Sequence, residues 1–266
     1  MSRIRTTRRI RAMSRIRPMN LWRLEWLRLI RTKRVIGIVG VYVFFGLLGP
    51  ITARYMKEIV ENFGGGVEIV VPDPVAADGI TSYVANAAQI GLLVSVGIAA
   101  AALAFDAKPQ MGIFLRTRVA RVRDIILPRY VVITAAVVVS FILGSIAALY
   151  ESIVLLGSLS ISGWFLGTLL GCLYLIFAMA LVAAVAGKSK SVLFTVMISI
   201  GILLLLPIIG VAPAVAEWLP SYLVGAADGL VRDTAFSEYI PATLVTLGLT
   251  AAALWLAVHW AAQREL

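Results

Sequence analysis

Few side chains in this 266-residue sequence carry the chemistry of catalysis, and their spacing excludes most of it. His259 is the single histidine and Cys172 the single cysteine. One histidine cannot build a His-Glu-x-x-His zinc site, and His259, at the inner edge of the last apolar stretch, is not placed to serve a serine nucleophile. One cysteine forms neither an intrachain disulfide nor a thiolate metal cluster. Gly187-Lys188-Ser189 has the ending of a phosphate-binding loop. Such a loop also needs glycine five positions before Gly187, where Val182 stands, and a strand before it. The expected reading is a short turn carrying Lys188 and Lys190. No cofactor, metal or nucleotide site is therefore expected on this chain, and His259 beside Trp260 reads as an interfacial residue.

The remaining candidates are charges arranged for contact. Residues 18–34 read PMNLWRLEWLRLIRTKR. Pro18 and Asn20 are helix-start signals. At helical spacing Trp22, Trp26, Leu29 and Ile30 form an apolar stripe, with Glu25, Arg28, Arg31 and Thr32 opposite. This pattern predicts an interfacial helix with tryptophans at headgroup level, bending into the first long apolar stretch. Its polar face is free to meet lipid or a cytoplasmic protein. The segment 106–129 reads DAKPQMGIFLRTRVARVRDIILPR. Pro109 is placed to start a helix and Pro128 to stop it. Between them Ile113, Phe114, Val119, Val122, Ile125 and Ile126 alternate with Arg116, Arg118, Arg121 and Arg123, followed by Asp124. A short helix over 109–127 with one apolar and one basic face is expected. It would bind either anionic lipid or the acidic surface of a soluble partner.

The elements that position these charges are membrane spans. The chain is 61% hydrophobic and 14% charged, against about 45–50% and about 25% in soluble domains. Six stretches have the roughly 20 apolar residues a spanning helix needs: 35–53, 87–105, 130–150, 163–186, 191–207 and 241–262. None contains Asp, Glu, Lys or Arg, which argues against a proton-coupled carrier or a voltage sensor. Lys and Arg number 12 in residues 1–34 and six in 106–129, and they recur at Lys188, Lys190 and Arg264. The alternate segments 54–86, 151–162 and 208–240 hold only three cations and most of the acids. Basic loops resist translocation, so both termini are expected to be cytoplasmic. The net charge of +10 thus implies lipid contact rather than nucleic acid. Residues 1–17, with seven arginines and no acid, read as a basic disordered tail.

Three further segments are informative. Gly163, Gly167 and Gly171 repeat at four-residue spacing, which opens a groove where another helix approaches closely, most readily one of the same chain. Gly37, Gly40, Gly46 and Gly49 offer the first span a similar approach to a second chain. Segment 208–240 is apolar but broken by Pro213, Pro220, Gly225 and Gly229, which suits a re-entrant or surface-lying helical hairpin. The loop 54–86, with Gly64-Gly65-Gly66 and Pro72-Asp73-Pro74, reads as irregular and mobile.

This combination resembles a type-2 ATP-binding-cassette permease over roughly residues 18–266: an amphipathic elbow helix, six spans with both ends inside, a long first cytoplasmic loop and a broken outer hairpin before the last span. The loop is similar to the family's, with Asp106, Ile113-Phe114-Leu115, Thr117-Arg118-Val119-Ala120-Arg121 and Arg129 in the family's order, although Val119 stands where the family has proline. The resemblance implies an all-α, six-span permease domain in the plasma membrane. It implies a docking role for Phe114, Arg116, Arg118, Arg121, Arg123 and Asp124 on an ATPase subunit, and an elbow role for the helix bearing Trp22 to Arg31. It further implies two ATPase subunits that hold ATP and Mg, a second permease chain, and export of an amphiphilic substrate. The alternative left open is a six-span membrane enzyme or scaffold without an ATPase.

Overall fold

The computed structural model describes residues 18–63, 73–104 and 121–263. The expected docking residues Phe114, Arg116 and Arg118 and the expected tail 1–17 lie outside the described residues. Within them all regular structure is helical. Six helices are long and apolar enough to cross a membrane: Arg34–Arg54, Ala76–Leu103, Arg123–Leu156, Ile161–Lys188, Val192–Ile209 and Phe236–Ala262. We call them the first to sixth spans. A leading helix, Pro18–Arg31, precedes the first.

Local signals account for several boundaries. Lys33 adopts a left-handed conformation (φ 55°) between the leading helix and the first span, which turns the chain there. Ser160 and Ser191 accept hydrogen bonds from the amides of Gly163 and Phe194, capping the fourth and fifth spans. The sixth span proper starts at Ile240, with Pro241 in its first turn.

Two boundaries differ from the sequence reading. The second span starts at Ala76, not Ala87, so much of the expected irregular loop 54–86 is helical, including Met56–Phe63. Asp78 starts the span by accepting a 2.8 Å hydrogen bond from the Val75 amide. Asp78, Thr81, Ser82 and Asn86 had lowered the local hydropathy below that of a span. Residues Ala87–Gly91 form a π-helical stretch inside this span. The second difference is Pro128, which does not stop a helix. The third span runs unbroken from Arg123 to Leu156 through it. A helix-interior proline costs about 3 kcal/mol, but here it removes one bond near the helix start. The apolar burial of Ile125, Ile126 and the residues beyond outweighs it. Residues 123–127 therefore open the third span instead of closing a separate loop helix.

Packing follows the small residues. A Cβ on Gly46 would strike the Gly144 carbonyl, so the first and third spans cross in backbone contact. One on Gly187 would lie 2.7 Å from the Ala257 carbonyl, so the fourth and sixth spans do the same. Tyr42 and Tyr83 fill the centre around Phe141, with the Tyr83 hydroxyl donating to the Phe141 carbonyl at 2.7 Å.

Candidate functional site

Three constellations stand out, one at the end of the bundle that carries the leading helix, one at the opposite end, and a cavity between them. At the leading-helix end, Leu21, Glu25 and Leu29 are buried and face the bundle. Trp22, Trp26 and Ile30 are exposed, at 39%, 50% and 50%. The apolar stripe is thus split: Leu29 turns inward while the tryptophans turn outward. Glu25 is not part of an open polar face, as the sequence suggested. It accepts a 2.8 Å hydrogen bond from Arg129 Nε, at the start of the third span. Both partners are buried. Arg28 remains exposed and approaches Glu25 at 3.9 Å; Arg31 is exposed at the helix end.

The physical reason for this inward turn is charge pairing. An arginine on the third span must be neutralised once its surroundings exclude water, and Glu25 is one helical turn from both Leu21 and Leu29 on the face that packs there. Spacing alone grouped Glu25 with Arg28 and Arg31, because the partner lies 104 residues away. Of the expected docking residues that are described, Arg121 and Arg123 are exposed and Asp124 is half-buried, 3.7 Å from Arg123. They sit one to two turns from Arg129 on the same chain end. At this end too, Lys188, the last residue of the fourth span, lies over the Trp260 ring at 5.4 Å, so Gly187 and Lys188 end a helix against the sixth span and the expected turn is only Ser189 to Ser191. His259 stacks on Trp255 with centroids 4.9 Å apart and lies 3.0 Å from Gln263.

At the opposite end the segment after the fifth span folds into short helical turns: Pro213–Ala216 stays against the fifth span, while Pro220–Gly225 and Ala226–Val231 pack on the fourth. Here the glycine repeat finds its neighbour in the same chain. A Cβ on Gly163 would meet the Leu230 carbonyl, one on Gly167 the Ala227 backbone, and one on Gly171 the Phe141 ring at 2.9 Å. A polar clamp closes the edge. Arg232 Nε donates to Asp228 at 2.7 Å, Arg232 also pairs with Asp78 of the second span, and Thr81 donates to Asp228. The bonds to Asp228 and Asp78 raise the Arg232 pKa above its ordinary value, so the clamp's cation stays charged.

Between these ends lies a cavity of about 680 Å³. The second span contributes Ala88, Gln89, Leu92, Leu93 and Val96, and the fourth contributes Tyr174. The fifth contributes Ile200, Leu203, Leu204 and Pro207, and the broken segment Ser221, Val224 and Gly225. No charged side chain lines it. Its size and mostly apolar wall are those of a small-molecule site. Ala88 and Gln89 belong to the π-helical stretch, a distortion common at functional positions. Sequence reasoning missed this site because its wall is assembled from four separated segments of ordinary apolar residues. Gln89, a polar residue inside a span, was the one visible signal.

Among the described residues no group of three or more His, Cys, Asp or Glu is placed to hold a metal ion. Comparison with protein-family models, with curated proteins and with solved structures finds no match to this chain.

Proposed function

We propose that this chain is the membrane subunit of a type-2 ATP-binding-cassette exporter in the plasma membrane. In this reading both termini face the cytoplasm, two copies or a copy and a homologue pair, and two separate subunits bind ATP and Mg. The observation that supports it best is the buried Glu25–Arg129 pair. It fastens the leading helix to the third span immediately after the basic loop, so a displacement of the loop reaches both together. Arg121 and Arg123 remain exposed beside it for contact with a partner's acids. The leading helix then serves as the elbow, its outward tryptophans in the headgroup layer. The glycine-docked segment serves as the re-entrant hairpin. Its Ala227 reaches Gly167, six residues from the start of the fourth span, or about 9 Å along it. The contact between copies would use the open side of the first span. Gly37 and Gly40 have no neighbour there, whereas Gly46 and Gly49 are occupied within the chain.

The reading of the chain as a membrane enzyme lacks this kind of support, since the cavity wall carries no acid–base pair. The test is co-reconstitution with an ATP-binding-cassette ATPase from the same genome. ATP hydrolysis should require the ATPase subunit and be coupled to export. Arg121→Glu with Arg123→Glu should abolish coupling while leaving the spans folded, because both side chains are exposed and exposed charges contribute little to stability. Hydrolysis by the purified chain alone, lost in Lys188→Ala, would refute the reading.

A further inference from the structure

Gln89 poses a physical problem that few other residues of the spans share, among them the buried hydroxyls of Ser152 and Ser199. It lies near the middle of the 28-residue second span, 13 residues from its first residue. Its side chain is exposed at the cavity wall and has no hydrogen-bond partner among the described residues. Other polar side chains of the spans are mostly paired inside the chain, such as Ser145 with Thr168 at 2.9 Å and Tyr42 with Ser95 at 3.2 Å. An amide facing hydrocarbon without a partner is costly, because neither lipid tails nor apolar side chains replace its bonds to water. It belongs to the π-helical stretch and lines the cavity, whose wall also carries Ser221 of the broken segment.

We infer that Gln89 is the recognition group of this cavity, and that the cavity takes a neutral amphiphile: one apolar chain or ring system bearing an uncharged hydrogen-bonding group such as an ester, amide or hydroxyl. The apolar wall of Leu92, Val96 and Leu203 receives the body, and the Gln89 amide, which both donates and accepts, receives the polar group. A charged head is excluded from the interior because no counter-charge lines the wall. A glycan is excluded because its many hydroxyls would meet only Gln89, Ser221 and Tyr174. Leu93 of the second span and Leu204 of the fifth line the cavity and are 45% and 59% exposed, so the wall is open rather than sealed there. The ligand therefore reaches the site sideways, from the bilayer, between the second and fifth spans. The inference narrows the substrate class of the proposed exporter, but binding itself requires no ATPase.

The experiment measures equilibrium binding of three tritiated probes to the purified full chain in lipid nanodiscs: 1-monooleoylglycerol, oleate and the hydrocarbon octadecene. Monooleoylglycerol should bind most tightly. Gln89→Leu should weaken it about tenfold, the effect of one hydrogen bond in apolar surroundings, while octadecene binding stays unchanged. Gln89→Asn should keep part of the affinity. Gly225→Leu adds bulk where nothing lies within 4 Å of a Cβ, so the backbone is unstrained; it should weaken both probes. Unchanged monooleoylglycerol binding in Gln89→Leu would overturn the inference. So would oleate binding as tightly as the neutral probe. A shift of Gln89→Leu from dimer to monomer without a change in binding would assign the amide to a contact between copies and overturn it as well. Failure of ATP-driven export with intact probe binding would refute the exporter reading alone.

Discussion

The fourth and fifth spans are consecutive, joined by a tight turn and nearly equal in mean hydropathy, at 2.6 and 2.8. Their surroundings are opposite: 78% of the most apolar stretch of the fourth is buried in the bundle, against 17% of the fifth. The difference lies in side-chain size. The fourth presents Gly163, Gly167, Gly171 and Gly187 with Ala178, Ala180, Ala183, Ala184 and Ala186, and three segments approach its backbone closely. The fifth presents Leu193, Met197, Leu204 and Ile208 outward, and its one internal glycine, Gly201, has nothing near it. In a bilayer, burying leucine against protein gains little over burying it in lipid, so close backbone packing decides which helix becomes the hub. Equal hydropathy therefore says that both helices cross, and small-residue spacing says which one is surrounded.

The strongest way to break this contrast is to fill the glycine groove. Gly163→Leu with Gly167→Leu should cost about 5 kcal/mol by overpacking two backbone contacts, seen as loss of a monodisperse peak after mild heating in detergent. A native melting profile would show that the fourth span is not the hub. Arg129→Met, leaving Glu25 buried without its partner, should cost about 3–5 kcal/mol. Adding Glu25→Leu should recover much of that, a coupling that a double-mutant cycle reads directly. Asp228→Asn at the exposed clamp should cost at most about 1 kcal/mol, because the glycine contacts, not the charges, hold the broken segment. The smallest effect is expected on the fifth span. Leu205→Ala at an exposed position should change the midpoint by under about 0.5 kcal/mol.

What the sequence disclosed and what it concealed divide along the same physical line. Composition and charge periodicity disclosed six spans, because apolar length is a local property. The glycine repeat disclosed a close contact within the chain. The first eleven residues of the second span were hidden by Asp78, Thr81, Ser82 and Asn86, whose role depends on a partner: Asp78 and Thr81 meet Arg232 and Asp228, some 150 positions away. Glu25 was assigned to the wrong face because its stripe is ambiguous until Arg129 is placed beside it. The cavity was concealed because four separated segments assemble its wall, and the lone polar Gln89 does not by itself reveal that they converge.

In the proposed exporter the leading-helix end of the bundle docks a separate ATPase. A photo-reactive amino acid in place of Arg121, activated in native membranes of the host organism, tests it directly. The expected result is one dominant adduct, between this chain and an ATP-binding-cassette ATPase, lost when Glu25 and Arg129 are both replaced by alanine. Adducts with lipid alone, from a chain that still exports its substrate, would contradict it.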